Sequence, residues 1–164
     1  MWWTQPTSNS SLLERLRASG VNFASLLNGL LALADESAEL ARQFYRNPNT
    51  LEVKKKSDAT PVTEADRAIH RLLLKRLPEL LPGVPVLSEE CNTEQLAQRL
   101  NWKDCWVVDP LDGTREFIER TDQFTINIAL CLDGSAELGL ISVPCEARHW
   151  LGVVGDGAAW FDEP

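Results

Sequence analysis

The chain has 164 residues, 44% hydrophobic and 24% charged, a balance that supports one folded domain with a sizeable core and excludes disorder and collagen-like structure. Its 24 acidic against 16 basic side chains leave a net charge of −8, which argues against a nucleic-acid partner that needs a basic face. A small phosphorylated molecule stays compatible, because cations held by carboxylates reverse the local sign.

In chain order, residues 1–20 read as a flexible N-terminal extension, with the polar stretch Pro6-Thr7-Ser8-Asn9-Ser10-Ser11, and residues 21–164 as the folded domain. The start lacks the basic-then-apolar pattern of a secretory signal. The most apolar stretch, Leu26 to Ala34, is too short to span a bilayer. From Phe23 to Phe44 the apolar residues keep to one helical stripe, and Asn47-Pro48-Asn49 ends it. A basic run, Lys54 to Lys56, leads into a loop through Pro61. A second helix is predicted to start at Thr63, with Asp66 in the acidic slot of a capping box. It would bury Ile69, Leu72, Leu73 and Leu77, and Pro78 or Pro82 would close it.

Beyond Gly83 the pattern changes to short runs of β-branched and aromatic residues. Strands are predicted at Val84–Leu87, Cys105–Val108, Phe124–Leu132, Leu138–Val143 and Trp150–Val154, with another opening at Gly157. Two helices followed by five or six strands give an α+β fold, with the helices laid on a largely antiparallel sheet. The four cysteines, Cys91, Cys105, Cys131 and Cys145, form no C-x-x-C pair and sit near no histidine at ligand spacing. That pattern fits reduced thiols in a cytoplasmic protein better than a zinc site. His70 and His149 show no partner spacing and are assigned no chemistry.

Acidic residues cluster at three points: Asp66 at the helix start, Glu89-Glu90 past a strand, and Asp109-Pro110-Leu111-Asp112-Gly113-Thr114. Each has a plain structural reading. Asp66 suits a helix dipole, the Glu89-Glu90 pair a solvated strand end, and Asp-Pro and Asp-Gly are common turn formers. Together they suit a hard cation such as Mg²⁺, which takes oxygen ligands. Asp109 and Asp112, three apart across a proline-constrained turn, would face one point with the Leu111 carbonyl between them. Gly113 would let the backbone approach a ligand closely. A short helix opening at Thr114 through Glu116 and Phe117 would offer free N–H groups to phosphate.

The Asp109–Thr114 hexapeptide resembles the D-P-[IL]-D-G-T signature of the inositol monophosphatase superfamily of metal-dependent phosphatases. The segment from Lys56 to Asp66 resembles that family's K-x-D-x-x-x-V-T-x-A-D run, and Glu89 follows Asp66 by 23 residues, where the family has its glutamate pair. Val86 to Glu90, Thr114 to Ile118 and Phe124 to Leu130 look most like the CysQ-type 3′(2′),5′-bisphosphate nucleotidases of bacteria. The resemblance implies the N-terminal part of a layered αβαβα fold and Mg²⁺-dependent hydrolysis of adenosine 3′,5′-bisphosphate to AMP and phosphate. An inositol monophosphatase-like activity, or a remnant that only binds metal or phosphate, is the alternative. By position, Glu89, Asp109, Asp112 and the Leu111 carbonyl would bind metal. Asp66 with the Thr114 hydroxyl would activate water. Gly113 and Thr114, beside Glu89, Leu111 and Asp112, would hold the substrate. The family's second α/β half, with a further metal-binding aspartate in a W-D-x-A-A segment and much of the substrate pocket, has no counterpart here. The resemblance also allows peripheral association with an inner membrane, and it leaves the oligomeric state open.

Overall fold

A computed structural model of the chain describes residues 11–47, 54–55, 61–91 and 93–163. Helix α1 (Ser11–Ser19) precedes α2 (Phe23–Arg46). Two short strands, β1 (Lys54–Lys55) and β2 (Pro61–Val62), pair antiparallel before α3 (Glu64–Leu80). Then come β3 (Val86–Ser88), α4 (Thr93–Gln98), β4 (Cys105–Asp112) and α5 (Thr114–Glu119). A meander of β5 (Thr125–Leu132), β6 (Ser135–Val143), β7 (Arg148–Val153) and β8 (Gly157–Asp162) completes the chain. The expected α+β class holds. Residues 1–10 and 56–60, with Lys56, lie outside the described residues.

The six strands from β3 to β8 stand in sequence order in one sheet, with β3 parallel to β4 and every other neighbour antiparallel. Alternation along the strands sets the core. On β5, Ile126, Ile128, Leu130 and Leu132 are buried, while Thr125, Asn127, Ala129 and Cys131 point to the other face. The buried face meets α2 and α3. Gly29 of α2 brings those helices close, since a Cβ there would lie 2.5 Å from Leu80 Cδ2. The opposite face is open: Ile141, Trp150 and Trp160 form one exposed cross-strand row, and Val107 is exposed on a neighbouring rung of β4.

Three expectations need correction. Part of the predicted N-terminal extension is a helix, because Leu12 and Leu16, four apart, are buried in the core as one face of α1. The second helix closes at the later of its two expected stops, as Pro78 lies inside α3, which runs on to Leu80 with Leu81 as its C-cap, just before Pro82. The segment from Asp109 to Asp112 is not a tight turn but the last part of strand β4. Leu72, predicted to be buried, is only partly so.

Candidate active site

Asp66 is placed by the start of α3. Thr63 caps the helix in extended backbone, and the capping box is complete. The Thr63 amide donates to Asp66 Oδ2 at 2.8 Å and its hydroxyl donates to the same oxygen at 2.5 Å. The other carboxylate oxygen, Oδ1, accepts from the Thr114 hydroxyl at 3.2 Å, and that hydroxyl also lies 3.1 Å from the Leu111 carbonyl. One side chain thus serves both as a helix cap and as the link to the start of α5. Asp66 is 3% exposed. Burial pushes its carboxyl above the usual carboxylate range, against the Thr63 hydrogen bonds that pull it down.

Strand β4 solves a parity problem. Residues three apart on a regular strand point to opposite faces. Here Asp109 pairs with Asn127 and Asp112 pairs with Thr125, so three steps on β4 meet two on β5. The extra residue is a bulge. Pro110, which has no N–H to give the ladder, sits inside it. Pro110 and Leu111 are both buried, while Asp109 and Asp112 both come to the open side. The Leu111 amide donates to Asp109 Oδ1 at 3.1 Å, and Asn127 Nδ2 donates to Asp112 Oδ2 at 3.3 Å.

Glu89 reaches this group through the parallel pairing. Ser88 is in register with Val108, and the Glu89 amide donates to the Val108 carbonyl at 3.1 Å, so Glu89 stands beside Asp109. The preceding residue is pinned as well: His70 Nδ1 lies 2.9 Å from Ser88 Oγ, tying α3 to β3. Glu89, Asp109, Asp112 and Asn127 line one cleft of about 750 Å³ whose remaining wall is largely apolar, with Val107 and Ile141 among its members.

The carboxyl of Asp109 is pushed up to about 7, by burial first, then by the charge of Glu89, with Asp112 adding to it; Glu89 also hydrogen-bonds it. Three mutually repelling carboxylates and a backbone carbonyl are the donor set a hard divalent cation takes, and a cation would relieve the repulsion. The residues therefore fit such an ion.

The same crowding predicts a stability effect in metal-free protein. A carboxyl whose folded pKa is raised holds a proton that the unfolded chain releases, so stability falls as pH rises from about 4 to about 7. Asp109→Asn removes that cost while keeping an acceptor for the Leu111 amide. With a chelator present, the variant should melt higher than the parent above pH 7, by roughly 1 kcal/mol or about 2–4 °C at this chain length, and the gap should shrink toward pH 4. Thermal melts across that range check it.

Gly113 has φ +90, and a Cβ on it would lie 2.7 Å from the Gln123 carbonyl oxygen and 3.2 Å from Phe124 Cα. The close approach that needs glycine is thus to the chain's own entry into β5. Beyond it, α5 is anchored by Phe117, which packs edge-on against Phe124 at 4.9 Å and against Tyr45 of α2 at 5.1 Å. The Tyr45 hydroxyl donates to Asp122 Oδ1 at 2.7 Å.

Sequence reasoning missed Asn127 and the His70–Ser88 contact. Asn127 was visible as a polar residue on the strand face opposite Ile126 and Ile128. It also missed His149, whose Nε2 lies 2.9 Å from Asp35 Oδ1 and 3.9 Å from Glu163 Oε1. Among the described residues these three are the group of histidine and acidic side chains close enough to share an ion. Arg42 already holds Glu163 through two hydrogen bonds of 2.8 and 2.6 Å, so the cluster acts as an ionic tie between α2, β7 and the end of β8.

The sequence profile of the inositol monophosphatase family matches residues 23–164. The 3′(2′),5′-bisphosphate nucleotidase CysQ of Haemophilus influenzae is 44% identical over 119 residues, 73% of this chain and 44% of that protein. CysQ of Escherichia coli is 38% identical over 138 residues, 84% of this chain and 55% of its own length. The crystal structure of CysQ from Bacteroides thetaiotaomicron superposes with a TM-score of 0.70 at 35% identity, over 85% of this chain and 50% of that one. The extragenic suppressor protein SuhB of Bartonella henselae gives 0.72 at 26% identity, over 84% and 52%. The chain spans about half the length of the curated relatives it matches. Among the described residues, no helix is long and apolar enough to cross a membrane.

Proposed function

The chain belongs to the inositol monophosphatase family, and on that premise we propose that it carries the metal- and phosphate-binding residues of a phosphomonoesterase that uses Mg²⁺ and takes adenosine 3′,5′-bisphosphate to AMP and phosphate. One observation carries the reading. The Thr114 hydroxyl joins Asp66 to the Leu111 carbonyl, and the bulge holding Leu111 sends Asp109 and Asp112 to the open face beside Glu89. A proton acceptor and an oxygen-rich cation site are thereby coupled through one turn of chain.

Glu89, Asp109, Asp112 and the Leu111 carbonyl are the groups that would hold the cation. When bound, a divalent cation supplies positive charge that acidifies a water and offsets the charge of the phosphoryl oxygens. The chain's own residues do the rest. Asp66 Oδ1 takes the proton of the Thr114 hydroxyl, whose oxygen is then able to take one from the attacking water. Burial raises the Asp66 carboxyl, which makes it a stronger proton acceptor than an exposed aspartate. The amides that open α5 have no acceptor within the helix and suit a phosphate oxygen. Asn127 holds Asp112 in place by its hydrogen bond.

Substrate choice rests on the nucleotidase relatives at 38–44% identity. Phosphate release should be measured side by side with adenosine 3′,5′-bisphosphate and inositol 1-phosphate in Mg²⁺. The bisphosphate should give the higher kcat/KM. Preference for the inositol ester would overturn the substrate, and release from neither would overturn the activity.

A further inference from the structure

Two of the four free thiols face each other. Cys105 of β4 and Cys131 of β5 are register partners, both half-buried on the open face of the sheet. Directly opposed residues of antiparallel strands hold their Cα atoms roughly 4.5–5.5 Å apart, inside the span of about 4.4–6.8 Å that a disulfide bridges. The Cys131 side chain is near enough to Cys105 to push its thiol up. The other two thiols are engaged elsewhere: Cys91 Sγ accepts from the Ser88 amide at 3.3 Å, and Cys145 Sγ lies 3.7 Å from Asp122 Oδ1.

We propose that Cys105 and Cys131 form a dithiol site that a low-molecular-weight disulfide such as oxidised glutathione converts reversibly to a cross-strand disulfide. The exchange balances without any other reagent. Deprotonated Cys131 attacks one sulfur of the disulfide, forming a mixed disulfide and expelling one thiolate, which takes up a proton. Cys105 then loses its proton and attacks the Cys131 sulfur, expelling the second thiol. The two cysteine sulfurs are oxidised by two electrons, the reagent is reduced to two thiols, and one S–S bond replaces another. The order follows from the surroundings. Partial burial, then the Cys131 sulfur and Asp104, push the Cys105 thiol above its ordinary value, which suits it to the second, intramolecular step.

The site lies on the same face as the carboxylates. On that face the rungs after Cys105–Cys131 are Val107–Ala129 and Asp109–Asn127, so the cross-link would fall about 14 Å along β4 from Asp109 at roughly 3.4 Å per residue. A second bulge, between Leu130 and Cys131 on the β5–β6 ladder, adds a residue on β6 beside Cys131 and locally loosens that edge of the pair.

The test is to equilibrate the native 164-residue chain in glutathione buffers of increasing oxidised fraction, quench with acid, alkylate the remaining thiols and map the peptides by mass spectrometry. A Cys105–Cys131 cross-linked pair is expected, reversed by reduced glutathione, with Cys91 and Cys145 still alkylatable. The melting temperature should rise in the oxidised sample. Cys105→Ser should trap glutathione on Cys131, whereas Cys131→Ser should leave Cys105 largely unmodified. Wild-type protein in which Cys105 and Cys131 stay alkylatable after Cys145 has been modified would overturn the proposal. So would a Cys105–Cys131 link that forms in urea but not in the native chain. Neither readout depends on catalysis, so the result stands apart from the phosphatase reading.

Discussion

Asp66→Asn should lower kcat by about 10²–10⁴-fold, the usual worth of a positioned acid–base group, while barely changing stability. Both halves follow from the hydrogen bonds. The capping role needs only an acceptor for the Thr63 amide and hydroxyl at Oδ2, and an asparagine oxygen supplies one. The proposed catalytic role needs a group that takes the Thr114 proton at Oδ1, and a neutral amide cannot. Thr114→Val should match the loss in kcat, since it removes the other end of the relay. If the two changes act on one relay, the double variant should be little worse than either single one, because residues that act as a unit are non-additive. Independent, multiplying losses in steady-state kinetics would contradict this coupling.

Gly113→Ala is expected to be the most damaging single-methyl change near the site. The left-handed conformation at φ +90 alone costs an alanine on the order of 1–2 kcal/mol. A Cβ only 2.7 Å from the Gln123 carbonyl then forces backbone to move on one side or the other. Either shift displaces Asp112 and Thr114 together. Gly134→Ala separates the two causes, because Gly134 has φ +78 and nothing within 4 Å of the added methyl. Gly134→Ala should lose about 1 kcal/mol and keep the site intact, whereas Gly113→Ala should lose more and also bind divalent cations weakly. Equal losses of melting temperature in the two variants would show that the contact with Gln123 does not matter.

The parts of the fold visible in the sequence are those set by local rules. The apolar stripe from Phe23 to Phe44 and the Thr63–Asp66 capping box involve residues three or four apart, so their periodicity shows in one dimension. The alternation of Ile126, Ile128 and Leu130 is equally local. What stayed hidden depends on a second strand or helix. Asp109 and Asp112 were expected to share a face, and they do, but through a bulge whose extra residue is defined only by counting against Asn127 and Thr125. Glu89 meets Asp109 because β3 runs parallel to β4, a pairing that no short-range signal announces. Asp35, His149 and Glu163 come from three separate elements, so spacing along the chain could not connect them. The helix at Ser11–Ser19 was obscured by the polar run before it, although Leu12 and Leu16 carry the pattern.

The most direct test is phosphate release from adenosine 3′,5′-bisphosphate by the chain in Mg²⁺ and in a chelator, beside Asp112→Asn. Release should require Mg²⁺ and fall by at least about 10²-fold in the variant, the order of effect expected when a ligand to a catalytic cation is lost. Release that persists in the chelator, or that Asp112→Asn leaves unchanged, would contradict the proposed function.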